Sequence, residues 1–298
     1  MKSSSPRLFC FGLGYSARRL ARGLMADGWT VAGTCREDAA AAELCELGVD
    51  AHVFDRARPL THVLAALEGA THLLSSVPPD EDGDPVLDCC AVEITAVAGN
   101  LQWAGYLSTT GVYGNRDGGM VAEGDELRPT SVRAKRRAVA EARWLALAAA
   151  GVPVHAFRLA GIYGPGRNIL EDVKRGRAKN IQKSDHVFSR IHVDDIANVV
   201  RASMARPNPG AVYNVCDDTP ASPSHVVAYA AELLGQEPPP AIPYGEAEKT
   251  MSEMSKTFWA DNKRVDNRRI KEELGVDLKY PGYREGLRGC FQDNFSSN

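Results

Sequence analysis

The chain has 298 residues, 44% of them hydrophobic and 24% charged, with a formal net charge of -3. This is ordinary globular composition. The near-neutral balance speaks against a general nucleic-acid binder, which would be strongly basic. No apolar run approaches the ~18 residues of a membrane-crossing helix, so no membrane partner is expected. The start MKSSSPRLFCFGLG does not read as a signal peptide. Seven cysteines lie at scattered positions without a Cys-x-x-Cys pair. That favours reduced thiols in a cytoplasmic protein over a disulfide framework, and no metal site is expected.

In chain order, RLFCFGLG reads as a buried strand running into a tight turn. YSARRLARGLMADG has helical spacing, with Leu20, Leu24 and Met25 on one side and Gly28 as the stop. WTVAGTC is a second strand, EDAAAAELCELG a helix and VDAHVFD a third strand. LTHVLAALEGA is helical, and THLLSSV is a fourth strand stopped by Pro78 and Pro79. A helix near 84–99, a strand near 103–108, a helix near 131–149 and the strand VPVHAFRL continue the series. Such alternation predicts an α/β fold, a doubly wound parallel sheet with helices on both faces.

The pattern changes after residue 165. GPGRNILEDVKRGRAKNIQKSDHVFSR is polar and basic, RIHVDDIANVVRASM returns to a strand edge and helix, and GAVYNVCD to a strand. PSHVVAYAAELLG is an amphipathic helix, QEPPPAIPYG a proline-rich connection, DNKRVDNRRIKEELG a polar helix, and the remainder a loose tail. The division predicted is a core over 1–165, to which 188–216 returns. A small interleaved C-terminal lobe, 166–187 and 217–298, would hold the substrate.

Gly12-Leu13-Gly14-Tyr15-Ser16-Ala17 follows the first strand and opens a helix. This is the dinucleotide-binding context of a Rossmann fold, with alanine at the third position. Gly12 makes the tight turn, Gly14 lets the backbone approach a pyrophosphate, and the helix N-terminus supplies N–H donors. An NAD site places an acid ~20 residues on, at the end of the second strand. Here that place reads Thr34-Cys35-Arg36, and Arg36 can face a 2′-phosphate, so NADP is expected in preference to NAD. Asp55, closing the third strand, is either an adenine acceptor or a polar strand end.

RAKRRAVAE crowds Arg133, Lys135, Arg136 and Arg137 into a helix start capped by Thr130 or Ser131. The first turn of a helix favours acids, so bases there call for a reason. LSTTGVYG (107–114), FRLAGIYGPGRN (157–168), RIHVDDIANVV (190–200) and AVYNVCDDTPAS (211–222) occur in this order. Together with the glycine loop they resemble the extended short-chain dehydrogenase/reductases, the NAD-dependent epimerases and dehydratases of nucleotide-sugars. The resemblance covers nearly the whole chain.

That resemblance implies a hydroxyl for the substrate at Thr109. It implies cofactor contacts from Ser76 and Val77 after the fourth strand and from Leu159, Ala160 and Gly161. The family pattern P-x-S-P-Y-G-x-S-K…E falls on Pro129 to Glu141 without a gap, which puts Arg133 at the tyrosine and Arg137 at the lysine. Arg137 can replace lysine as a cationic donor to the nicotinamide ribose. Arg133 cannot replace tyrosine, because a guanidinium has no acceptor lone pair and stays protonated. It can clamp a carboxylate or phosphate; the alternative is a solvated surface patch. Lys135 and Arg136 point elsewhere. A Ser131-x-x-x-Lys135 pair could activate a serine but would break the match at Pro129 and Glu141. Tyr113 and Tyr163 could donate a proton, though in the family they mostly pack near the substrate or support loops.

Arg190, with Lys174, Arg175, Arg177, Lys179 and Lys183, could meet a phosphorylated ligand or form a basic loop. His192 and Asp194 are expected to tie the second lobe to the sheet. Three functions follow: an oxidoreductase acting on a small anionic carbonyl or sugar-nucleotide substrate, a catalytically silent NADP(H)-binding regulator or scaffold, and a nucleotide-sugar epimerase. Family members often pair through their fourth and fifth helices, so an oligomer is compatible with this reading.

Overall fold

The computed structural model describes residues 5–295; the last three residues of the expected tail lie outside them. The first half runs β1 (Arg7–Phe11), α1 (Tyr15–Ala26), β2 (Thr30–Cys35), α2 (Asp38–Glu46), β3 (Asp50–Val53), α3 (Val63–Ala66), β4 (His72–Ser75), α4 (Pro85–Ala96), β5 (Trp103–Thr109), β6 (Met120–Val121) and α5 (Val132–Ala146). Then follow β7 (Val154–Leu159), β8 (Gly161–Tyr163), α6 (Ile169–Lys174), β9 (Asn180–Gln182), β10 (Arg190–His192), α7 (Val193–Ala205), β11 (Val212–Val215) and α8 (Pro223–Leu233). The chain closes with β12 (Ala241–Pro243), α9 (Tyr244–Ala247), α10 (Glu253–Ala260), β13 (Arg264–Val265), α11 (Arg268–Glu272) and α12 (Tyr283–Phe295).

Seven strands form one sheet in the order β11-β7-β5-β4-β1-β2-β3, and every pairing is parallel. This is the doubly wound Rossmann architecture. Its strands are continuous apolar runs because helices cover both faces. The chain winds outward from β1 to β3, then crosses back to β4. That reversal opens a crevice beyond the strand ends between β1 and β4. Ala17, Leu20, Ala21 and Leu24 of α1 are buried, on the side of the sheet that also takes Val199 and Val200 of α7. On the other side, Trp144 of α5 stacks on Tyr106, with centroids 5.7 Å apart. Its Nε1 donates to Asp84 Oδ2 at 2.9 Å, while Asp84 also caps α4 by accepting from Val86 N and Leu87 N. One carboxylate thus joins two helices.

Two expectations change at the C-terminal end. The polar helix expected over DNKRVDNRRIKEELG divides into β13, which pairs with β6, and the short α11. The tail folds as α12, with Tyr283, Leu287 and Cys290 buried against α8. Their spacing of four and three is helical, a signal that the many polar residues between them obscure. Three two-stranded pairs, β8 with β10, β9 with β12 and β6 with β13, lie outside the main sheet. Among the described residues no helix is long and apolar enough to cross a membrane.

Candidate functional site

The glycine loop sits at the β1 end of the crevice. Gly12 has φ +84°, and a Cβ there would stand 3.0 Å from Val77 Cγ2 and 3.1 Å from Ser76 Oγ. Both reasons require glycine. Gly12 N donates to Thr34 Oγ1 at 2.9 Å, Leu13 N donates to Thr34 O at 2.7 Å, and Ser76 Oγ donates to Gly12 O. The loop is therefore pinned to β2 and to the segment after β4. Gly14 is the N-cap of α1 and supplies no side-chain cap, so no side chain of the cap competes for the first-turn N–H groups. Tyr15 and Ser16 are half-buried and Ala17 is buried.

At the end of β2, Cys35 is buried and its Sγ donates to Glu37 O at 3.5 Å; burial raises its thiol pKa. Arg36 is exposed. Asp55 is engaged at the end of the third strand. Its Oδ1 accepts from Ala57 N and Arg58 N, both at 2.9 Å. Its Oδ2 accepts from Arg58 Nε at 3.0 Å and Nη2 at 2.8 Å. Four donors thus meet the two oxygens of this carboxylate at the strand end. Asp55 holds Arg58, whose Nη2 also donates to Arg36 O. Two guanidinium-bearing residues therefore meet at the β2–β3 end, and Arg58 escaped the sequence reading because it lies five residues past the strand.

At the β5 end, Thr109 is half-buried and caps a 3-10 turn over Thr110–Tyr113, its Oγ1 accepting from Gly111 N at 3.1 Å. The hydroxyl proton is free of that bond. Ser131 caps α5 by accepting from Ala134 N at 3.1 Å, while Thr130 Oγ1 donates to Asp261 Oδ1 at 2.8 Å. Ser131 is a helix cap, not a serine poised for Lys135. Arg137 is half-buried; its Nη1 donates to Leu107 O at 2.7 Å and to Tyr106 Oη at 3.2 Å. Arg133 and Lys135 are exposed and Arg136 is half-buried.

Both tyrosines are buried. Tyr113 is 0% exposed; its hydroxyl donates to Asn214 Oδ1 at 2.7 Å and accepts from Arg158 Nη1 at 2.7 Å. Burial pushes its pKa up to about 12. Tyr163 is also buried and donates to Gly282 O at 3.4 Å, and burial raises its pKa further.

Behind Thr109 lies a buried polar network that was not anticipated. Arg158 Nη2 meets Glu141 Oε1 at 2.6 Å with both side chains buried, and Ser108 Oγ donates to Glu141 Oε2 at 2.5 Å. Arg158 Nη1 also donates to Glu123 O at 3.1 Å. The sequence showed Glu141 only as the last letter of a motif, and Arg158 only inside an apolar run. Leu159 and Ala160 at the β7 end are buried, and Gly161 is exposed.

The basic residues of the second lobe are mostly engaged. Arg190 Nη1 donates to Phe188 O and Ala221 O, both at 2.9 Å, and burial lowers its pKa. Arg175 pairs with Glu171 and Arg177 with Asp172, and Lys183 Nζ donates to Trp259 O at 2.6 Å. Arg190 therefore braces a loop instead of meeting a ligand. His192 Nδ1 accepts from Asp194 N at 3.2 Å, capping α7. Its Nε2 lies 3.6 Å from Cys290 Sγ. With Nδ1 accepting, Nε2 carries the proton, so this Cys–His–Asp grouping has no base for the thiol. Asp194 joins Arg19 at 2.5 Å and Lys279 at 3.0 Å, linking α1, α7 and the C-terminal segment. Among the described residues no cluster of His, Cys, Asp or Glu could hold a metal ion.

The fold is that of NAD-dependent epimerases and dehydratases. A dTDP-glucose 4,6-dehydratase from Bacillus anthracis, solved in complex with NAD, superimposes with a TM-score of 0.75 at 16% identity over 98% of both chains. At that identity the likeness is one of fold. The chain belongs to the same family as a functionally unknown conserved protein from Silicibacter pomeroyi DSS. The two share 48% identity with a TM-score of 0.90 over 97% of this chain and 99% of that one. Protein YeeZ of Escherichia coli K12 is 29% identical over 284 residues, 91% of this chain and 94% of its own. No protein-family model matches the chain.

Proposed function

We propose that the chain binds NADP(H) in the β1–β4 crevice and is an oxidoreductase acting on a small anionic carbonyl or sugar-nucleotide substrate. The residues present fit such a cofactor. The Gly12 turn has no room for a side chain, and α1 begins with N–H groups that no cap side chain takes. Such a helix start receives a pyrophosphate. Arg36, beside the Arg58 that Asp55 holds, supports NADP over NAD, since a 2′-phosphate adds two negative charges that these guanidinium groups can meet. The bound nicotinamide supplies the hydride chemistry; the protein supplies position and charge.

One observation carries the catalytic part: Arg137 is anchored to Leu107 O. Arg133, four residues earlier, shares its helix face. A crossover helix runs antiparallel to the strand it covers. One helical turn toward the start of α5, ~5.4 Å, therefore matches two residues toward the end of β5, ~6.6 Å. Those two residues end at Thr109. On this reading Thr109 orients the substrate oxygen, and Arg133 clamps its anionic group and stabilises developing negative charge. Arg137 uses its remaining N–H groups toward the ribose. Arg133→Ala is expected to reduce kcat/KM for reduction of an anionic carbonyl substrate by 10- to 100-fold, a scale set by loss of one charged donor. Loss of reduced-nicotinamide absorbance reads this out, and an unchanged rate contradicts the assignment.

The second reading, a silent NADP(H)-binding regulator or scaffold, is favoured by the burial of Tyr113 and Tyr163 and by an arginine at the position of the family's tyrosine. If the protein binds NADPH without turnover and Arg133→Tyr with Arg137→Lys produces it, that reading holds. The epimerase reading is weakest, because Arg133 cannot exchange a proton with a sugar hydroxyl. Exposed Val92 on α4 and Val139 on α5, 77% and 61% accessible, support pairing of two copies through these helices. The free cysteines support a cytoplasmic setting.

A further inference from the structure

The outward face of α1 carries a cavity of about 230 Å³, lined by Tyr15, Arg18, Arg19, Arg22, Pro165 and Val193. The four α1 residues stand at i, i+3, i+4 and i+7, the spacing of one helix face. Pro165 and Val193 form the opposite wall. Tyr15 Oη donates to Pro165 O at 2.9 Å and so fixes one end of the cavity.

The charge there is unbalanced. Arg19 is matched by Asp194 at 2.5 Å, but Lys279 shares the same carboxylate. Arg18 donates through Nε to Leu13 O at 2.9 Å and reaches Glu43 only at 3.7 Å. Arg22 is exposed and has no carboxylate partner among the described residues. Arg167 lies over the Tyr15 ring, 5.7 Å from its centroid, and likewise meets no acid. Three guanidinium groups in the lining and two more cations beside it thus face three carboxylates, Asp194, Glu43 and, acting on Arg19 from further off, Asp293, in a chain whose net charge is -3. A converging set of guanidinium forks suits the oxygens of a phosphate group. The volume holds roughly eight waters at ~30 Å³ each, which is too small for a dinucleotide.

The position differs from that of the cofactor crevice. Gly12 faces Ser76 and Val77 on the crevice side, whereas Tyr15 turns toward Pro165 and Gly164. Arg22 lies seven residues past Tyr15, ~10 Å further along the helix axis. We propose that this cavity binds a small phosphate-bearing anion at a site separate from the dinucleotide crevice.

Calorimetric titration with inorganic pyrophosphate, on the full chain alone and in excess NADPH, tests this. Binding should persist with NADPH present and weaken at least 10-fold in Arg22→Ala, while Arg22→Lys keeps part of it. Arg22 is exposed, so both variants should melt with the wild type. Pyrophosphate binding that vanishes in excess NADPH, or that Arg22→Ala leaves unchanged, overturns the proposal. If NADPH itself does not bind, the cofactor assignment fails separately, and Arg22-dependent pyrophosphate binding still supports the cavity.

Discussion

Glu141 and Arg158 show how one residue pair can shape a crevice it does not enter. Their ion pair is buried, shares a hydroxyl with Ser108 next to Thr109, and reaches Tyr113. A buried pair adds little net stability, but removing one partner strands the other charge. Glu141→Ala should therefore cost about 3–5 kcal/mol, read as a fall in the urea midpoint at unchanged m-value. Glu141→Gln, which still accepts from Ser108, should cost less. Equal stability of Glu141→Ala and wild type would remove the network from the account. Sequence reasoning placed Glu141 by motif and missed its role, because nothing in a lone glutamate announces burial. Tyr113 and Tyr163 show the converse: tyrosine is an acid by type, and only the packed surroundings show how deeply each ring is buried.

Single loops decide how the elements meet. Gly114, just past the 3-10 turn after β5, has φ +68°, and a Cβ there would overlap the carbonyl oxygen of Arg128. The obstacle is backbone, so it cannot swing aside. Gly114→Ala should lose at least about 1–3 kcal/mol from the conformation alone, and it should disturb the approach of α5 to β5. Gly124→Ala is the control, since it has ordinary φ and nothing within 4 Å of the new Cβ. Melting both side by side checks this; a similar fall in both would mean the loop is not constrained. The long segments, β1 through β5 with their helices, were legible because continuous apolar runs alternate with helical spacing, most of them punctuated by glycine or proline. The pieces after residue 165 were not, since two- and three-residue strands carry no period. Helix α12 was obscured by the polar residues between Tyr283, Leu287 and Cys290.

Across the whole molecule, buried ionisable groups set how stability follows pH. Burial lowers the pKa of His72, His186 and His192 from 6.5 to about 4. The unfolded chain then binds protons that the folded one does not, so stability falls as pH drops from about 6.5 toward 4. Asp217 acts the other way. Burial raises its carboxyl to about 8, so the folded form holds a proton that the unfolded one releases, and stability falls as pH rises from its usual 3.8 toward 8. The histidines thus set the acid side of the profile and Asp217 the alkaline side, with a stability maximum between them. Urea melts across pH 4.5–8.5 should show this maximum, and Asp217→Asn should flatten its alkaline side. A profile flat below pH 6.5 would contradict the burial of these imidazoles.

The central claim is that the β1–β4 crevice is made for a pyridine dinucleotide carrying a 2′-phosphate. Titration of the purified protein with NADPH and with NADH, followed by nicotinamide fluorescence, tests it most directly. The account predicts saturable binding with NADPH the tighter ligand, and an Arg36→Asp variant that loses NADPH affinity while sparing NADH. Failure of both nucleotides to bind would contradict it, and equal affinities would leave Arg36 and Arg58 without the role assigned to them.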